Sequence, residues 1–284
     1  MTDVLVLTAA KPIDQSVLDA VAAALALTGW KRRSDHWAEA PIFGPTDLDP
    51  LRIAHRVDLN ILPKAGRRKS ILIADMDSTM IPVECIDELA DFAGVKPQVE
   101  AITDRAMRGE LDFEQAIDAR VALLRDLPQS ALQACYDQRV HLNPGARVLV
   151  GTMNRAGSRT ALVSGGFTFF SQRVAAAAGF QSHQANVLEI ENGHLTGRVQ
   201  KPVLGQQAKA EALAALCAER GISTGDALAI GDGANDLVMI REAGLGVAYR
   251  AKPALRAEAD AILDHSDLTA VLALQGMAAM DVPE

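Results

Sequence analysis

Apolar residues along the chain follow two different rhythms, and the change between them marks its organisation. Asp3 to Leu7 reads as a strand, and Asp14 to Leu27 as a helix opened by an acidic cap, with Leu18, Val21 and Leu25 at helical spacing and Gly29 as its stop. Trp30 to Phe43 alternates only weakly, in the manner of strands. Asp47 to His55 predicts a short helix and Asp58 to Leu62 a further strand. These elements make a small α+β module over residues 1–64, closed by Pro63 and the basic linker Lys64 to Lys69.

From Ser70 the rhythm changes to short apolar strands alternating with helices: Ile71 to Ala74, Thr160 to Val163, Ala227 to Ile230, Gly246 to Ala248 and Ala261 to Leu263. Such alternation predicts an α/β fold with a doubly wound, mostly parallel sheet, formed by residues 70–81 and 158–284. Between its first two strands, Ile86 to Ala93, Gln98 to Met107, Phe113 to Leu124 and Gln129 to Gln138 all have helical periodicity. A crossover needs only one helix. The surplus predicts an inserted helical cap over residues 82–157, suited to covering the strand ends. Val187 to Val199, with Asn192-Gly193 at its middle, predicts a hairpin; a purely structural hairpin and a flap beside the site both fit.

Composition narrows the classes. With 49% apolar and 23% charged residues among 284, the chain can bury a large core and is no candidate for disorder. A net charge of -8 argues against nucleic acid as a partner. Cys85, Cys135 and Cys217 are odd in number and widely spaced, which indicates neither a disulfide framework nor a thiolate zinc site. Met1 to Leu7 has no basic leader region and Ala20 to Leu27 is too short to span a bilayer, so no membrane and a cytoplasmic location are expected. A homodimer stays open.

The chemistry sits where strands stop. In Ile71-Leu72-Ile73-Ala74-Asp75-Met76-Asp77-Ser78-Thr79 an apolar run ends in two carboxylates. Burying them is costly unless something compensates them, and Mg²⁺ is the economical answer, since it binds one or two carboxylates together with a substrate phosphate. One carboxylate can then attack while the other moves protons. In open α/β sheets ligands bind beyond the carboxyl ends of the strands. There the chain also offers Ser164-Gly165-Gly166, a hydroxyl with freely oriented N–H groups, and Gly231-Asp232-Gly233-Ala234-Asn235-Asp236, with Asp236 one helical turn beyond Asp232. Lys209 opens an amphipathic helix and is a candidate cation for the phosphate; Lys201 is its rival.

Taken in order, Asp75-Met76-Asp77-Ser78-Thr79, Ser164, Lys209 and the Gly231 to Asp236 run resemble the four motifs of the haloacid dehalogenase superfamily. Asp75 to Asp87, Val163 to Thr168 and Ala106-Met107-Arg108-Gly109 resemble its phosphoserine phosphatases, over roughly residues 70 to 270. The resemblance implies a Rossmann-like core and hydrolysis of O-phosphoserine, a small-molecule substrate, to serine in the last step of serine biosynthesis. It implies Asp75 as nucleophile, Asp77 as general acid and base, and Mg²⁺ on the Asp75 carboxylate, the Asp77 main-chain carbonyl and Asp232, with Asp236 in support. By the same resemblance Ser164, Gly165, Lys209 and Asn235 hold the phosphate, Glu84 receives the ammonium and Arg120 the carboxylate. For Arg120 the competing reading is a helix-face ion pair with Asp118 or Glu114. Homoserine phosphate, or transfer of the phosphoryl group to another alcohol, is the alternative activity. A phosphate-receiving signalling domain would need neither a helical cap nor Asp77. The N-terminal module stands where longer family members carry an ACT-like regulatory region, but with weak strands and no glycine-rich ligand loop; sensing and a structural or dimerising role are equally open.

Overall fold

The computed structural model describes residues 3–44 and 46–281; residues 1–2 and 282–284, at the outer ends of the first and last units expected from the sequence, lie outside the described residues, as do Pro45 and the side chain of Met107. The N-terminal module contains β1 (Asp3–Thr8), α1 (Gln15–Ala24), β2 (Lys31–Ser34), β3 (Trp37–Ile42), α2 (Asp49–His55) and β4 (Asp58–Pro63). Its strands form one antiparallel sheet in the order β2-β3-β1-β4. The sheet is better formed than its weak alternation predicts, because both faces are covered. Leu5 and Leu7 pack with Leu18 and Val21 of α1, whereas Val4, Val6 and Trp37 join the core of the rest of the chain. A strand buried on both sides loses its polar alternation. Helix α1 also ends earlier than Gly29 suggests: Leu25 and Leu27 leave it and fold back as partly buried residues beneath the sheet.

Beyond the linker come β5 (Ile71–Ala74), the inserted helices α3 (Cys85–Phe92), α4 (Lys96–Met107), α5 (Phe113–Ala122) and α6 (Gln129–Arg139), and α7 (Ala146–Arg155). The chain continues through β6 (Arg159–Phe167), α8 (Thr168–Ala178), β7 (Ser182–Asn186) and a hairpin of β8 (Leu188–Glu191) and β9 (His194–Val199). It ends with α9 (Gln206–Arg220), β10 (Ala227–Gly231), α10 (Leu237–Glu242), β11 (Leu245–Tyr249), α11 (Pro253–Arg256), β12 (Ala261–Leu263) and α12 (Ala270–Leu274). Six of these strands form a parallel sheet in the order β12-β11-β10-β5-β6-β7. Strands β5 and β10 are central and wholly buried, so Asp75 and Asp232, which follow them, emerge side by side at the carboxyl edge.

Three features depart from the sequence reading. The edge strand β7 has no apolar signal, since Ser182, His183 and Gln184 are not buried. Strand β6 runs on through Ser164, Gly165 and Gly166 to Phe167 instead of stopping before them. Helix α7, counted with the insertion by its place in the sequence, packs on β6 and α8, and Leu149, Val150 and Met153 lie in the core of the sheet. The inserted segment is pinned at its base just before α7, where the Asn143 side chain donates to the Thr79 carbonyl at 2.8 Å and its N–H to Met80 at 2.8 Å. The hairpin turns at Asn192-Gly193 as expected and belongs with the inserted helices: β9 packs on α5, and the 126–129 segment exchanges backbone hydrogen bonds with Gly193 and Leu195.

Two sheet edges meet where the module joins the core. The Asn60 side chain of β4 imitates a strand toward β12, accepting from the Ile262 N–H at 2.8 Å and donating to its carbonyl at 3.0 Å. Asp58, buried, accepts backbone N–H groups from Asp264, His265 and Ser266 at 2.8 to 3.2 Å. Replacing Asp58 by Ala strands these donors, each costing about 1–3 kcal/mol if left without a partner. Asp58→Ala is therefore expected to lower stability by about 3 kcal/mol in denaturant titration, and a change below about 0.5 kcal/mol would show that this carboxylate does not hold the junction.

Candidate active site

Asp75, Asp77, Glu84, Arg120, Ser164, Gly165, Asp232 and Asn235 line one cavity of about 450 Å³ between the sheet edge and the inserted helices. Eight of the ten residues singled out from sequence thus face a common space. The other two lie behind its wall: Lys209 and Asp236 are fully buried and reach the cavity through Asp75.

Lys209, on the first turn of α9, places its Nζ 2.6 Å from Asp75 Oδ1 and 2.6 Å from Asp236 Oδ1. Burial alone would lower its ammonium, but Asp236 and Asp75 outweigh it and hold the group above its ordinary value. The other oxygen of Asp236 accepts the N–H groups of Asp232 and Gly233, each at 3.1 Å, so Asp236 fixes the turn that aims Asp232. Gly231 is needed there, since a Cβ on it would collide with the Asp236 carboxylate. The rival cation is excluded by position: Lys201 is exposed and pairs with Glu114 and Asp118 at 2.7 Å each. The same contacts decide the reading of Arg120. The carboxylates offered as its helix-face partners are held by Lys201, and Arg120 turns into the cavity with Nε donating to the Ala116 carbonyl at 3.2 Å.

Asp77 sits apart from the metal-like cluster. Its Oδ1 accepts from the Cys85 N–H at 2.9 Å and its Oδ2 from the Ser164 hydroxyl at 3.2 Å. Burial, and then the nearby Glu84 charge, raise its carboxyl to about 7 against those two donors. The strand pairing of β6 with β7 lapses between Val163 and Phe167, which frees backbone there from the sheet ladder. Gly166 donates to Ser164 Oγ at 2.8 Å, and a Cβ at position 166 would stand 2.6 Å from Asp77 Oδ2. Glu84, at the start of α3, accepts from the Ser78 hydroxyl at 2.6 Å.

Oxygens of Asp75, Asp232 and Asp236 lie within 4.8 Å of one another, all buried. The Lys209 ammonium contacts two of these three carboxylates, Asp75 and Asp236. Asp236 spends both oxygens on Lys209 and the turn, which leaves Asp232 and the second oxygen of Asp75 as acceptors without a described hydrogen-bond donor. Burial first, then Asp236, push Asp75 well above the carboxylate range, and burial, Asp236 and Glu84 raise Asp232 to about 6. A hard divalent cation with oxygen preference fits this donor set and its uncompensated charge.

Four residues escaped the sequence reading. Asn186, at the end of β7, donates to the Gly165 and Leu204 carbonyls at 2.8 and 3.3 Å and accepts from the Leu204 N–H at 2.7 Å, tying the Ser164 segment to the approach to α9. Phe113 lies against Gly165 and Gly205, and Gln206 and Lys252 line the cavity. Nothing local in the sequence marks them, because each matters only through a neighbour distant along the chain.

Comparison with known proteins gives this arrangement a family. The haloacid dehalogenase-like hydrolase family matches residues 72–241, more than half of the chain. The chain belongs to the haloacid dehalogenase-like hydrolases. A phosphoserine phosphatase of Haemophilus influenzae is 43% identical to this hydrolase over 231 residues, spanning 80% of the chain and 73% of the relative. The crystal structure of a probable phosphoserine phosphatase from Vibrio cholerae, in unliganded form, superposes with a TM-score of 0.82 at 32% identity, over 97% of this chain and 86% of that one. A phospho-aspartyl intermediate analogue of phosphoserine phosphatase superposes with a TM-score of 0.67 at 38% identity, over 72% of this chain and 98% of the other. No helix among the described residues is long and apolar enough to cross a membrane.

The raised carboxyls of the hydrolase set a signed pH dependence. Asp232 and Asp77, at about 6 and about 7 in the folded protein, titrate near 3.9 when unfolded. The folded state therefore holds more protons through that interval, and their contribution to stability falls as pH rises across it. Binding a divalent cation needs the ionised form of Asp232 and opposes its share of this loss. The rise in melting temperature on adding a divalent cation should be larger at pH 7.5 than at pH 5. Asp232→Asn should raise the metal-free melting temperature at pH 7.5 and abolish most of the cation response; an undiminished response would remove Asp232 from the metal site.

Proposed function

We propose that this hydrolase is a phosphoserine phosphatase that uses Mg²⁺ and forms a phosphoryl-aspartate on Asp75. The observation that carries the reading is the charge layout of one cavity: the Asp75-Asp77 pair at the sheet edge faces Glu84 and Arg120 from the inserted segment. A phosphorylated amino acid carries the matching groups, a phosphate for the sheet edge, an ammonium for Glu84 and a carboxylate for the planar fork of Arg120. The Haemophilus influenzae relative named phosphoserine phosphatase, 43% identical over 80% of the chain, supports the same substrate.

The roles follow the chain's three units. Residues 70–81 and 158–284 carry the chemistry, the helices of the 82–157 insertion ahead of α7 the recognition of the amino-acid end, and residues 1–64 form a module packed on that core. Asp75 attacks phosphorus with one carboxylate oxygen, and the bond from phosphorus to the serine oxygen breaks. Asp77 gives its proton to that oxygen as serine leaves. In the second step Asp77 takes a proton from water, the water oxygen attacks phosphorus, and the phosphoryl-aspartate bond breaks to restore Asp75 and release phosphate. A group titrating at about 7 serves both directions of proton transfer near neutral pH. Mg²⁺, held by Asp75, Asp232 and the Asp77 main-chain carbonyl with Asp236 in support, would neutralise the charge of the phosphoryl group and keep Asp75 ionised. Ser164, the Gly165 backbone and Asn235 complete the phosphate's surroundings, and Lys209 acts on it through Asp75. Three free, buried cysteines suit a reducing, cytoplasmic setting.

The decisive assay is the initial rate on a panel of phosphorylated amino acids and sugars with Mg²⁺ and with chelator. O-phosphoserine should be preferred and chelator should abolish turnover; a preference for homoserine phosphate or a sugar phosphate would replace the substrate assignment. Asp75→Asn should eliminate both turnover and phosphoenzyme, and an active variant would end the covalent mechanism. Arg120→Ala should raise KM for phosphoserine roughly 30- to 100-fold, the worth of a charge-assisted pair, while leaving KM for p-nitrophenyl phosphate nearly unchanged. Equal effects on both substrates would take Arg120 out of carboxylate recognition.

A further inference from the structure

The residues assigned so far give the phosphate end of the cavity no surplus of positive charge. Asp75, Asp77, Glu84 and Asp232 line it, Asp236 lies directly behind, and Lys209 and Arg120 are the cations already assigned. Lys209 is enclosed between two carboxylates and fully buried, so its ammonium meets an incoming ligand only through Asp75. Arg120 belongs to the far end. With Asp77 protonated and a divalent cation in place, four carboxylates offset two side-chain cations and the metal, which leaves no net positive charge for a phosphate dianion.

Lys252 lines this cavity beside Asp232 and Asn235, is exposed, and no described ion pair engages its ammonium. Its backbone is fixed on both sides. The Lys252 N–H donates to the Asp232 carbonyl at 2.9 Å, and its carbonyl accepts from Leu255 and Arg256 at 3.1 and 3.2 Å at the start of α11, where Pro253 follows. A rigid backbone thus presents a long, free cationic side chain at the mouth of an acidic cavity. The Lys252 charge is also felt at Asp232, where it opposes the effect of burial ahead of Lys209.

We infer that Lys252 is a phosphate-gathering residue: its ammonium meets the phosphate of the entering ester, and of the departing inorganic phosphate, at the Asp232-Asn235 side of the cavity. The inference rests on the reading of this site as a phosphomonoesterase. A mobile ammonium suits the task because it can follow the phosphate from mouth to floor without a bidentate geometry. An exposed cation of this kind acts chiefly on capture and is screened by salt.

The test compares wild type, Lys252→Gln and Lys252→Arg, each with Mg²⁺ and each checked for an unchanged melting temperature. Lys252→Gln should raise KM for phosphoserine and the inhibition constant for inorganic phosphate together, on the order of tenfold at low salt. The increase should shrink as ionic strength rises, kcat should change less than KM, and Lys252→Arg should restore most of the loss. Because the phosphate end is common to all substrates, p-nitrophenyl phosphate should show the same effect. If Lys252→Gln leaves the phosphate inhibition constant unchanged, or moves only the Mg²⁺ concentration for half-activation, the residue acts through Asp232 and the inference is overturned. Should wild type fail on phosphoserine yet show the Lys252 effect on p-nitrophenyl phosphate, the substrate assignment falls and the phosphate role stands.

Discussion

The ion triad of Asp75, Lys209 and Asp236 is the constraint on which the site depends. Breaking a buried pair by removing one partner typically costs about 3–5 kcal/mol, because the remaining charge is left uncompensated. Here the triad links three separate segments: the end of β5, the first turn of α9 and the turn after β10. Asp236 passes the constraint on, since its second oxygen holds the N–H groups of Asp232 and Gly233. One ammonium therefore sets the orientation of the Asp75 carboxylate, the proposed nucleophile, and, through Asp236, the turn that presents Asp232. The triad is internally under-neutralised, and that deficit is what the proposed divalent cation would offset.

Asp77 shows how the same short sequence can separate two chemistries. It stands two residues from Asp75, but the chain turns sharply after β5, Ser78 adopts a positive φ of 56°, and the Asp77 carboxylate is taken by Cys85 N–H and Ser164. Asp75 is thereby tied to a lysine and Asp77 to neutral donors. A carboxylate with a bound ammonium suits attack, and one held only by neutral groups near Glu84 retains a proton close to neutrality. The division of labour proposed for the two aspartates rests on these environments.

Much of this was legible in the chain. Strands β5, β10 and β12 and the inserted helices lie close to where periodicity put them, because each is long enough or apolar enough to declare its burial. Asp75, Asp232 and Ser164 were recognisable as residues following or ending apolar strands. What could not be read depends on tertiary neighbours. Strand β7 is polar because it is an edge; the module's sheet loses its alternation because both faces are covered; α7 is helical whether it belongs to the insertion or to the sheet. Asn186 and Lys252 carry no local mark at all, and only the fold brings them to Gly165 and Asp232.

The junction between the module and the core bears on the module's role. Its β4 and the β12 edge meet through side chains, with Asn60 standing in for a strand and Asp58 collecting the N–H groups of residues 264–266. Edge strands left open invite pairing with other chains, and covering them is a recurrent solution. Glu39 adds a second tie, bridging Arg33 within the module and Arg67 of the linker, whose Nη1 reaches the Leu274 carbonyl of α12. Such an interface, with a buried carboxylate at its centre, would be costly to open in each catalytic cycle. The geometry therefore favours the module as a fixed cover for the β12 edge, steadying the β11-β12 segment from which Lys252 reaches the cavity.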